Sequence, residues 1–291
     1  LASGKLLRPT RVPKSSGPAL DKLFIGAEGT LGIITQAVLV AYPAPEARSL
    51  HAYRFSGFEA GFHAVQEMHA VGLRPALVDF NEEFPLENGV DSRSETTLYL
   101  GFEGYQEEVE AQRARGLALC CRYGGEDLGD EEAQLFWDQR HESGERYKRE
   151  VLQNPKGARH RQSSRRMDYL HVAIPTSRVL EYRRHCQEML KRYRIPIREW
   201  SIWGRPEFFS LLISDSGTLE DPTSKRMAQV VDQILMAAQD IGGSMEYCHG
   251  VGLKLAHLME RQHGVGLEAI RVVKKALDPA GILNPGKLGL G

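Results

Sequence analysis

The pattern of apolar and polar residues changes repeatedly between two periods after residue 46. Apolar residues at every second position are typical of half-buried strands, and apolar residues at every third or fourth position are typical of amphipathic helices. The predicted strands are 49–55, 76–80, 95–103 and 168–174, with a strand region over 199–214. The predicted helices are 57–71, 107–123, 177–193, 223–241 and 267–277. This alternation predicts an α+β fold in which helices cover one face of an antiparallel sheet.

Residues that interrupt or start regular structure mark the ends of these segments. The stretch Tyr42-Pro43-Ala44-Pro45 predicts a domain boundary, because proline restricts the residue before it and ends regular elements. Thr176 is predicted to cap the helix 177–193, since its hydroxyl can accept a bond from an N–H of the first turn.

The segment before that boundary is apolar and rich in glycine. Gly26, Gly29 and Gly32 recur at a spacing of three around a single charged residue, Glu28. Glycine permits sharp turns and lets a ligand lie directly on the main chain, and the N–H groups of such a turn suit a pyrophosphate. The β-branched residues that follow predict a strand over 33–40. The spacing alone favours a tight structural turn over a ligand site.

Composition excludes several classes of partner. The chain has 291 residues, a net charge of −1 and 42% hydrophobic residues, so it can build a substantial core, and its charge gives no reason to expect a nucleic acid partner. Its four cysteines, Cys120, Cys121, Cys186 and Cys248, have no zinc-cluster spacing and are expected to be reduced thiols. We therefore expect a cytoplasmic protein.

Three segments in a fixed order carry a family signature. They are FIGAEGTLGIIT at 24–35, GGSMEYCHGVG at 242–252 and ALDPAGILNPGKL at 276–288. They resemble the GSEGTLGIIT, HGVG and DPxGILNPGK motifs of FAD-linked oxidases of the vanillyl-alcohol-oxidase/PCMH type, with Ala27 in place of the usual serine. The resemblance spans nearly the whole chain and implies an FAD-dependent enzyme.

The resemblance also implies a division of the chain. Residues 1–45 would be the C-terminal remnant of an FAD-binding PCMH-type domain. Residues 46–265 would be the cap domain of the FAD-linked oxidase C-terminal type, a duplicated ferredoxin-like unit that forms the substrate pocket. Residues 266–291 would return to the FAD domain. The family places a longer portion of that domain before this point, so we expect a missing N-terminal portion as a partner.

We call the segment at 24–35 the glycine motif and the segment at 276–288 the closing motif. In the family, the glycine motif completes the FAD domain around the cofactor, and the closing motif packs beside the flavin. The cofactor-binding residues implied by this resemblance are Gly26, Glu28, Gly29, Thr30, Leu31, Gly32, Ile33, Ile34, Asn284 and Lys287.

The candidate catalytic residues are His249, Tyr247, Arg149 and Arg140. His249 falls on the histidine of the HGVG motif, and imidazole can accept or deliver a proton near neutral pH. Tyr247 is either a proton donor near the flavin or an aromatic packing residue. A guanidinium offers a fork to an anionic group, so Arg140 and Arg149 are candidates for holding a substrate anion, or they belong to a solvated helix face.

No metal is expected. Metal-dependent relatives carry a GHxGDGNLH segment, whereas this chain has SIWGRPEFF at 201–209, without the histidine pair.

The leading hypothesis is an oxidoreductase that transfers a hydride to FAD from a hydroxyl-bearing, anionic small substrate such as a 2-hydroxy acid or an alcohol. One alternative is a flavin transferase like alkyl-dihydroxyacetone-phosphate synthase, favoured by the loop PKSSGPAL at 13–20. A second alternative is a non-catalytic subunit or fragment of a flavin oxidase. A homodimer is compatible with each hypothesis.

Overall fold

The computed structural model describes residues 1–8, 17–84, 94–149, 166–215 and 223–290. The chain forms two compact units, one from Leu1–Pro43 with Ser244–Gly291 and the other from Ala44–Gly243. Residues 244–265, which the sequence assigns to the cap domain, lie in the first unit. Hydrogen bonds hold them there: Gln262 accepts from the Met245 N–H, and Glu28 accepts from the N–H groups of Val251 and Gly252.

A seven-stranded sheet forms the second unit. Its strands are β1 Ala47–Arg54, β2 Leu77–Glu83, β3 Glu95–Gly104, β4 Glu126–Gly129, β5 Arg166–Ala173, β6 Ile197–Trp203 and β7 Phe208–Asp215. Their order is β4-β1-β3-β2-β6-β7-β5, and neighbouring strands pair antiparallel throughout. The predicted antiparallel sheet is confirmed.

The strand order contains an internal repeat. In the first half, β4-β1-β3-β2 is the order of a ferredoxin-like βαββαβ unit. In the second half, β5, β6 and β7 repeat the first three strands of such a unit, and β2 joins β6 at the centre of the sheet. The described part of the second repeat has no counterpart of β4.

The helices of this unit are α1 Phe58–Ala70, α2 Gln106–Arg122, α3 Glu131–Gln139, α4 Glu142–Tyr147, α5 Val179–Tyr193 and α6 Thr223–Asp240. Four of them, α1, α2, α5 and α6, cover one face, where the Phe209 ring packs against Phe58 of α1, Tyr182 of α5 and Trp200 of β6. Phe58, Trp200 and Phe209 are at most 2% exposed, so this face holds the core of the sheet. The Tyr182 hydroxyl joins α5 to α6 by donating to the Ile234 carbonyl at 2.8 Å.

The other face of the sheet is the second face, and α3 packs on it over β1 and β3. The Phe136 ring of α3 stacks on Tyr99 of β3 with ring centroids 4.0 Å apart. Strand alternation places Asp79, Ser201 and Tyr169 on this second face, farther along the sheet.

The structure adds detail to the sequence predictions for this unit and corrects one of them, the cap at Thr176. The region 199–214 is a hairpin of two strands, because Gly204 adopts a φ of +73° and turns the chain. The short strand β4 and the helix α3 were missed, since both are too short for a clear period. Thr176 does not cap a helix: it lies in a 3₁₀ turn, Thr176–Arg178, and α5 begins after Arg178 without a side-chain cap.

The first unit is built from turns and short helices, including α7 Met259–His263 and α8 Val265–Leu277. The predicted strand over 33–40 is not formed. Ile33, Ile34 and Leu39 are more than half exposed, and the described residues offer this segment no ladder partner. A strand requires a neighbour to accept its main-chain hydrogen bonds, so β propensity alone does not produce one.

None of the helices in the described ranges combines the length and the apolar character that a membrane crossing requires.

Candidate functional site

The Glu28 carboxylate joins the glycine motif to the HGVG motif. Glu28 Oε1 accepts from the N–H of Val251 at 2.6 Å and from that of Gly252 at 3.1 Å, and Oε2 accepts from the Gly252 N–H at 2.9 Å. Hydrogen bonds to a charged acceptor are stronger than neutral ones. These bonds therefore join the two motifs firmly, although the motifs lie more than two hundred positions apart in the sequence.

His249 precedes this contact and is exposed. Its backbone N–H donates to Glu246 Oε1 at 2.8 Å, and the N–H of Cys248 donates to the same oxygen at 2.6 Å. The main chain at His249 is thus held by Glu246 on one side and by Glu28 on the other. Tyr247, the other predicted catalytic residue of this segment, is half-buried in the same turn.

The closing motif meets the glycine motif through Asn284. The Asn284 side-chain amide donates to the Glu28 carbonyl, and a Cβ at Gly29 would lie 2.7 Å from Asn284 Nδ2. The half-buried Lys287 brings its ammonium group to 3.7 Å from the Cβ position of Gly252. The structure therefore brings both residues to the Glu28 contact.

A buried ion pair anchors the closing motif behind these contacts. Lys274 Nζ donates to the carboxylate of Asp278, to the Leu283 carbonyl at 2.7 Å and to the Thr30 carbonyl at 2.9 Å. The hydrogen bond from Lys274 lowers the pKa of Asp278, and the backbone N–H groups of Leu283 and Ile282 lower it further. The sequence shows only the i,i+4 spacing of this pair at the C-terminal end of α8.

The turn at 26–30 suits the phosphates of FAD, the cofactor implied by the resemblance. Gly26, Glu28 and Gly29 all have positive φ, at 84°, 48° and 75°. The described hydrogen bonds of this turn use the N–H groups of Ala27 and Thr30, which leaves those of Gly26, Glu28 and Gly29 for a ligand. Main-chain N–H groups in such a turn form an anion-binding concavity, so these residues fit a pyrophosphate.

The other predicted cofactor residues take different places. Thr30 is fully buried, and its hydroxyl donates to the Ala27 carbonyl at 2.6 Å. Leu31 is buried, and a Cβ at Gly32 would meet the Phe24 ring at 2.9 Å. These residues shape the turn, whereas Ile33 and Ile34 are exposed. Ser15 and Ser16 of the PKSSGPAL loop lie outside the described residues.

The two predicted arginines belong to the other compact unit. The Arg140 guanidinium lies 3.5 Å from the centroid of the Trp137 ring and donates to the Trp137 carbonyl, so its own helix turn already holds it. Arg149 is exposed.

The second face carries a titratable cluster that sequence reasoning missed. Tyr169 donates to Glu199 and lies 3.2 Å from the Ser201 hydroxyl, and its ring meets those of His171 and Trp203 at centroid distances of 4.6 and 5.3 Å. Burial, followed by the charge of Glu199, raises the pKa of Tyr169. The alternation of polar residues along β5 and β6 was the available signal.

Asp79 extends this cluster from β2. Burial raises the pKa of its carboxyl to about 7, and the negative charge of Glu199 contributes to the rise. The described residues contain no group of three or more histidines, cysteines, aspartates or glutamates arranged to hold a metal ion.

The model of the family described as "FAD linked oxidases, C-terminal domain" matches residues 44–288. The chain belongs to this family. Residues 44–288 therefore form a C-terminal domain of the FAD-linked oxidase type, the family that the three motifs predicted.

Individual relatives agree with that membership. The glycolate oxidase subunit GlcD of Bacillus subtilis is 25% identical over 99% of this chain, and the alkyldihydroxyacetonephosphate synthase of Caenorhabditis elegans is 25% identical over 98%. The crystal structure of p-cresol methylhydroxylase superposes on 96% of the chain with a TM-score of 0.66 at 19% identity, which supports the fold. The chain spans 61% of the Bacillus protein, 53% of the nematode protein and 61% of the crystallised chain.

Proposed function

We propose that this chain is the cap and closing part of an FAD-dependent oxidoreductase that oxidises a hydroxyl-bearing small molecule. The supporting observation is the convergence of three motifs in one compact unit, with an exposed His249 held between two carboxylates. Family membership supports the flavin chemistry at the level of the class.

The proposed division of labour follows from the chemistry of the residues. FAD would supply the two-electron acceptor. The N–H groups of Gly26, Glu28 and Gly29 would hold its pyrophosphate, and Lys287 would add a positive charge nearby. His249 would take the proton of the substrate hydroxyl, which general-base catalysis requires within hydrogen-bond reach. Tyr247 would orient the same hydroxyl.

The proposed substrate carries an anionic group that an arginine would hold. The two candidates are Arg140, which is engaged with Trp137, and Arg149, which is exposed. A 2-hydroxy acid and the corresponding alcohol differ only in a carboxylate. Comparing the two as substrates would show whether the site prefers a charged or a neutral molecule.

A flavin-bleaching experiment tests the function. The chain, joined to the proposed N-terminal FAD-domain portion, is loaded with FAD and mixed anaerobically with 2-hydroxy acids and alcohols. Bleaching of the flavin absorption by one of them is expected, and the His249→Ala variant should bleach about 10²–10⁴-fold more slowly. The matched control is His263→Ala, which removes an exposed histidine at the end of α7. Absence of bleaching by every substrate would refute the oxidoreductase proposal.

A transferase is the second candidate, favoured by the similarity to alkyldihydroxyacetonephosphate synthase. That relative's name describes a synthase whose product is an alkyl derivative of dihydroxyacetone phosphate. Product analysis after incubation with an acyl-dihydroxyacetone phosphate and a fatty alcohol separates the two, because only the transferase forms an ether product while its flavin remains oxidised at the end.

A further polypeptide segment is proposed to complete the flavin site. The first unit exposes many large apolar side chains, including Leu6, Leu20, Leu23, Ile25, Ile33, Val38, Leu39, Val40, Tyr42, Val265 and Val272. Contiguous exposed apolar surface is typical of an interface. We therefore propose an N-terminal FAD-domain portion as partner, and a non-catalytic role for this chain wherever that portion is absent. Flavin absorption retained by the isolated chain after desalting would contradict this need.

The cytoplasm as the location and a homodimer as the assembly are also proposals. Cell fractionation and the molecular mass in solution test them.

A further inference from the structure

We infer that Glu28 is a positioning residue, whose carboxylate fixes the turn at 250–252 and thereby orients His249. The catalytic meaning of this inference rests on the proposed function, since it treats His249 as the proton acceptor. The positioning itself can be measured without any flavin or substrate.

The Glu28 carboxylate faces a matched set of main-chain donors. The two oxygens of Glu28 receive three hydrogen bonds from two consecutive N–H groups, at 2.6, 2.9 and 3.1 Å. An ionised carboxylate is an acceptor only, so it complements a pair of N–H donors. Because Glu28 is half-buried, these bonds are less weakened by water than surface contacts are.

The main chain at Gly250 approaches the Glu28 carboxylate closely. A Cβ at this position would lie 2.5 Å from Glu28 Oε1, and Gly250 has a φ of +80°. Both the contact and the backbone conformation require glycine here. The glycine that directly follows His249 is thus explained by the carboxylate that approaches it.

A second carboxylate, that of Glu246, holds the main chain on the other side of His249. Glu246 accepts from the N–H groups of Cys248 and His249, so consecutive carboxylate contacts hold the main chain from 248 to 252. With the backbone fixed, the two side-chain torsions of His249 set the place of its imidazole. A general base must lie within about 3 Å of the proton that it takes, so a small backbone shift matters.

The negative charge of Glu28 separates the role of its side chain from that of its main chain. The resemblance implied a cofactor-binding role for Glu28, but a carboxylate side chain repels phosphate oxygens and cannot donate to them. The main-chain N–H of Glu28 can contact a pyrophosphate while its side chain holds the turn at 250–252. One residue would then serve the two motifs with different atoms.

The experiment uses the 291-residue chain and its Glu28→Gln variant. Glutamine keeps the size but replaces one acceptor oxygen by an NH₂ group that faces the Gly252 N–H. Amide hydrogen exchange at Val251 and Gly252 should become about tenfold faster or more, since hydrogen bonds to charged groups are lost. The ring signals of His249 in the NMR spectrum, assigned with His249→Ala, should shift. The matched control Glu260→Gln breaks an exposed ion pair with Arg271 in the same unit and should change neither signal.

A second pair of variants approaches the contact from the opposite side. Gly250→Ala should shift the same His249 signals, because the new methyl group displaces the Glu28 carboxylate. Adding Gly250→Ala to Glu28→Ala should produce a smaller further change than Gly250→Ala produces alone, since the overlap is then relieved. Coupling of this kind is expected only for residues in contact.

Two results would overturn the inference. One is unchanged exchange at Val251 and Gly252 together with unchanged His249 signals in Glu28→Gln. The other is a loss of protection that extends equally to the Ile282 and Leu283 amides bonded to Asp278, because a general structural role would then account for it. The proposed function fails separately, when the flavin is not bleached by any substrate although Glu28→Gln moves the His249 signals.

Discussion

Asp79→Asn is expected to make the chain more stable at neutral and alkaline pH. Asp79 is half-buried on the second face, and its burial, followed by the negative charges of Glu199 and Glu83, raises the pKa of its carboxyl. Its Oδ1 accepts a bond from the Asn81 amide at 3.5 Å, which asparagine can also accept. The substitution therefore removes a carboxyl that is costly to ionise and retains its shape.

The magnitude follows from the pKa of the carboxyl. A rise from 3.8 to about 7 means that the unfolded chain releases this proton at a lower pH than the folded chain does. The parent chain has its full stability below pH 3.8, where the Asp79 carboxyl is neutral in both states. It loses stability as the pH rises through about 7, because the buried carboxyl must then ionise. The full shift corresponds to about 4 kcal/mol, and solvent access to the half-buried side chain reduces it to roughly 2–4 kcal/mol.

Urea unfolding followed by tryptophan fluorescence measures this difference. The free energy of unfolding is determined for both proteins between pH 4.5 and pH 8. The advantage of Asp79→Asn should grow with pH and level off above about 7. Glu199→Gln removes the neighbouring charge and should move the rise to lower pH. Asp138→Asn, at an exposed position on α3, controls for the loss of a carboxylate and should change stability by less than about 0.5 kcal/mol. A difference between Asp79→Asn and the parent chain that does not vary with pH would refute the reasoning.

Three further outcomes test other parts of the structure. Phe209→Ala should lower the free energy of unfolding by about 3–5 kcal/mol, because the ring is fully buried. Phe208→Ala, at a half-buried position on the second face, should lower it by only about 1 kcal/mol. Urea unfolding of both variants checks this difference. Lys274→Met should lower the melting temperature measured by circular dichroism, because three acceptors lose their donor, and an unchanged temperature would contradict the anchoring role. Cys186 should resist iodoacetamide at pH 8, because burial raises the pKa of its thiol to about 12. The exposed Cys121 should be alkylated under the same conditions, and mass spectrometry of the digested chain distinguishes the two residues.

Periodicity predicted the long elements of the sheet unit well. Helices such as α2 and α5 bury an apolar stripe that repeats over several turns, so their existence and type can be read from one sequence. The short strand β4 has four residues, and its pairing with β1 depends on a partner more than seventy positions away. Local patterns contain no information on such a partner.

The candidate site was only partly predictable. The motifs identified Glu28, His249 and Asn284, but not which atoms meet. The acceptor role of Glu246 toward the Cys248 and His249 N–H groups depends on backbone torsions that the sequence does not specify. The strand predicted over 33–40 had the right composition, and it lacks a ladder because pairing is a property of the surroundings.

The segment 33–42 also has a practical consequence for anyone who handles this chain. Its ten residues, IITQAVLVAY, carry no charge and no proline, and its large apolar side chains are mostly exposed. Extended, uncharged stretches of high β propensity are templates for intermolecular pairing and amyloid-like assembly. The purified chain should therefore precipitate in a concentration-dependent way, and a lysine in place of Val38 or Leu39 should delay that precipitation. Colloidal behaviour, rather than folding, will then limit the concentrations at which the chain can be studied.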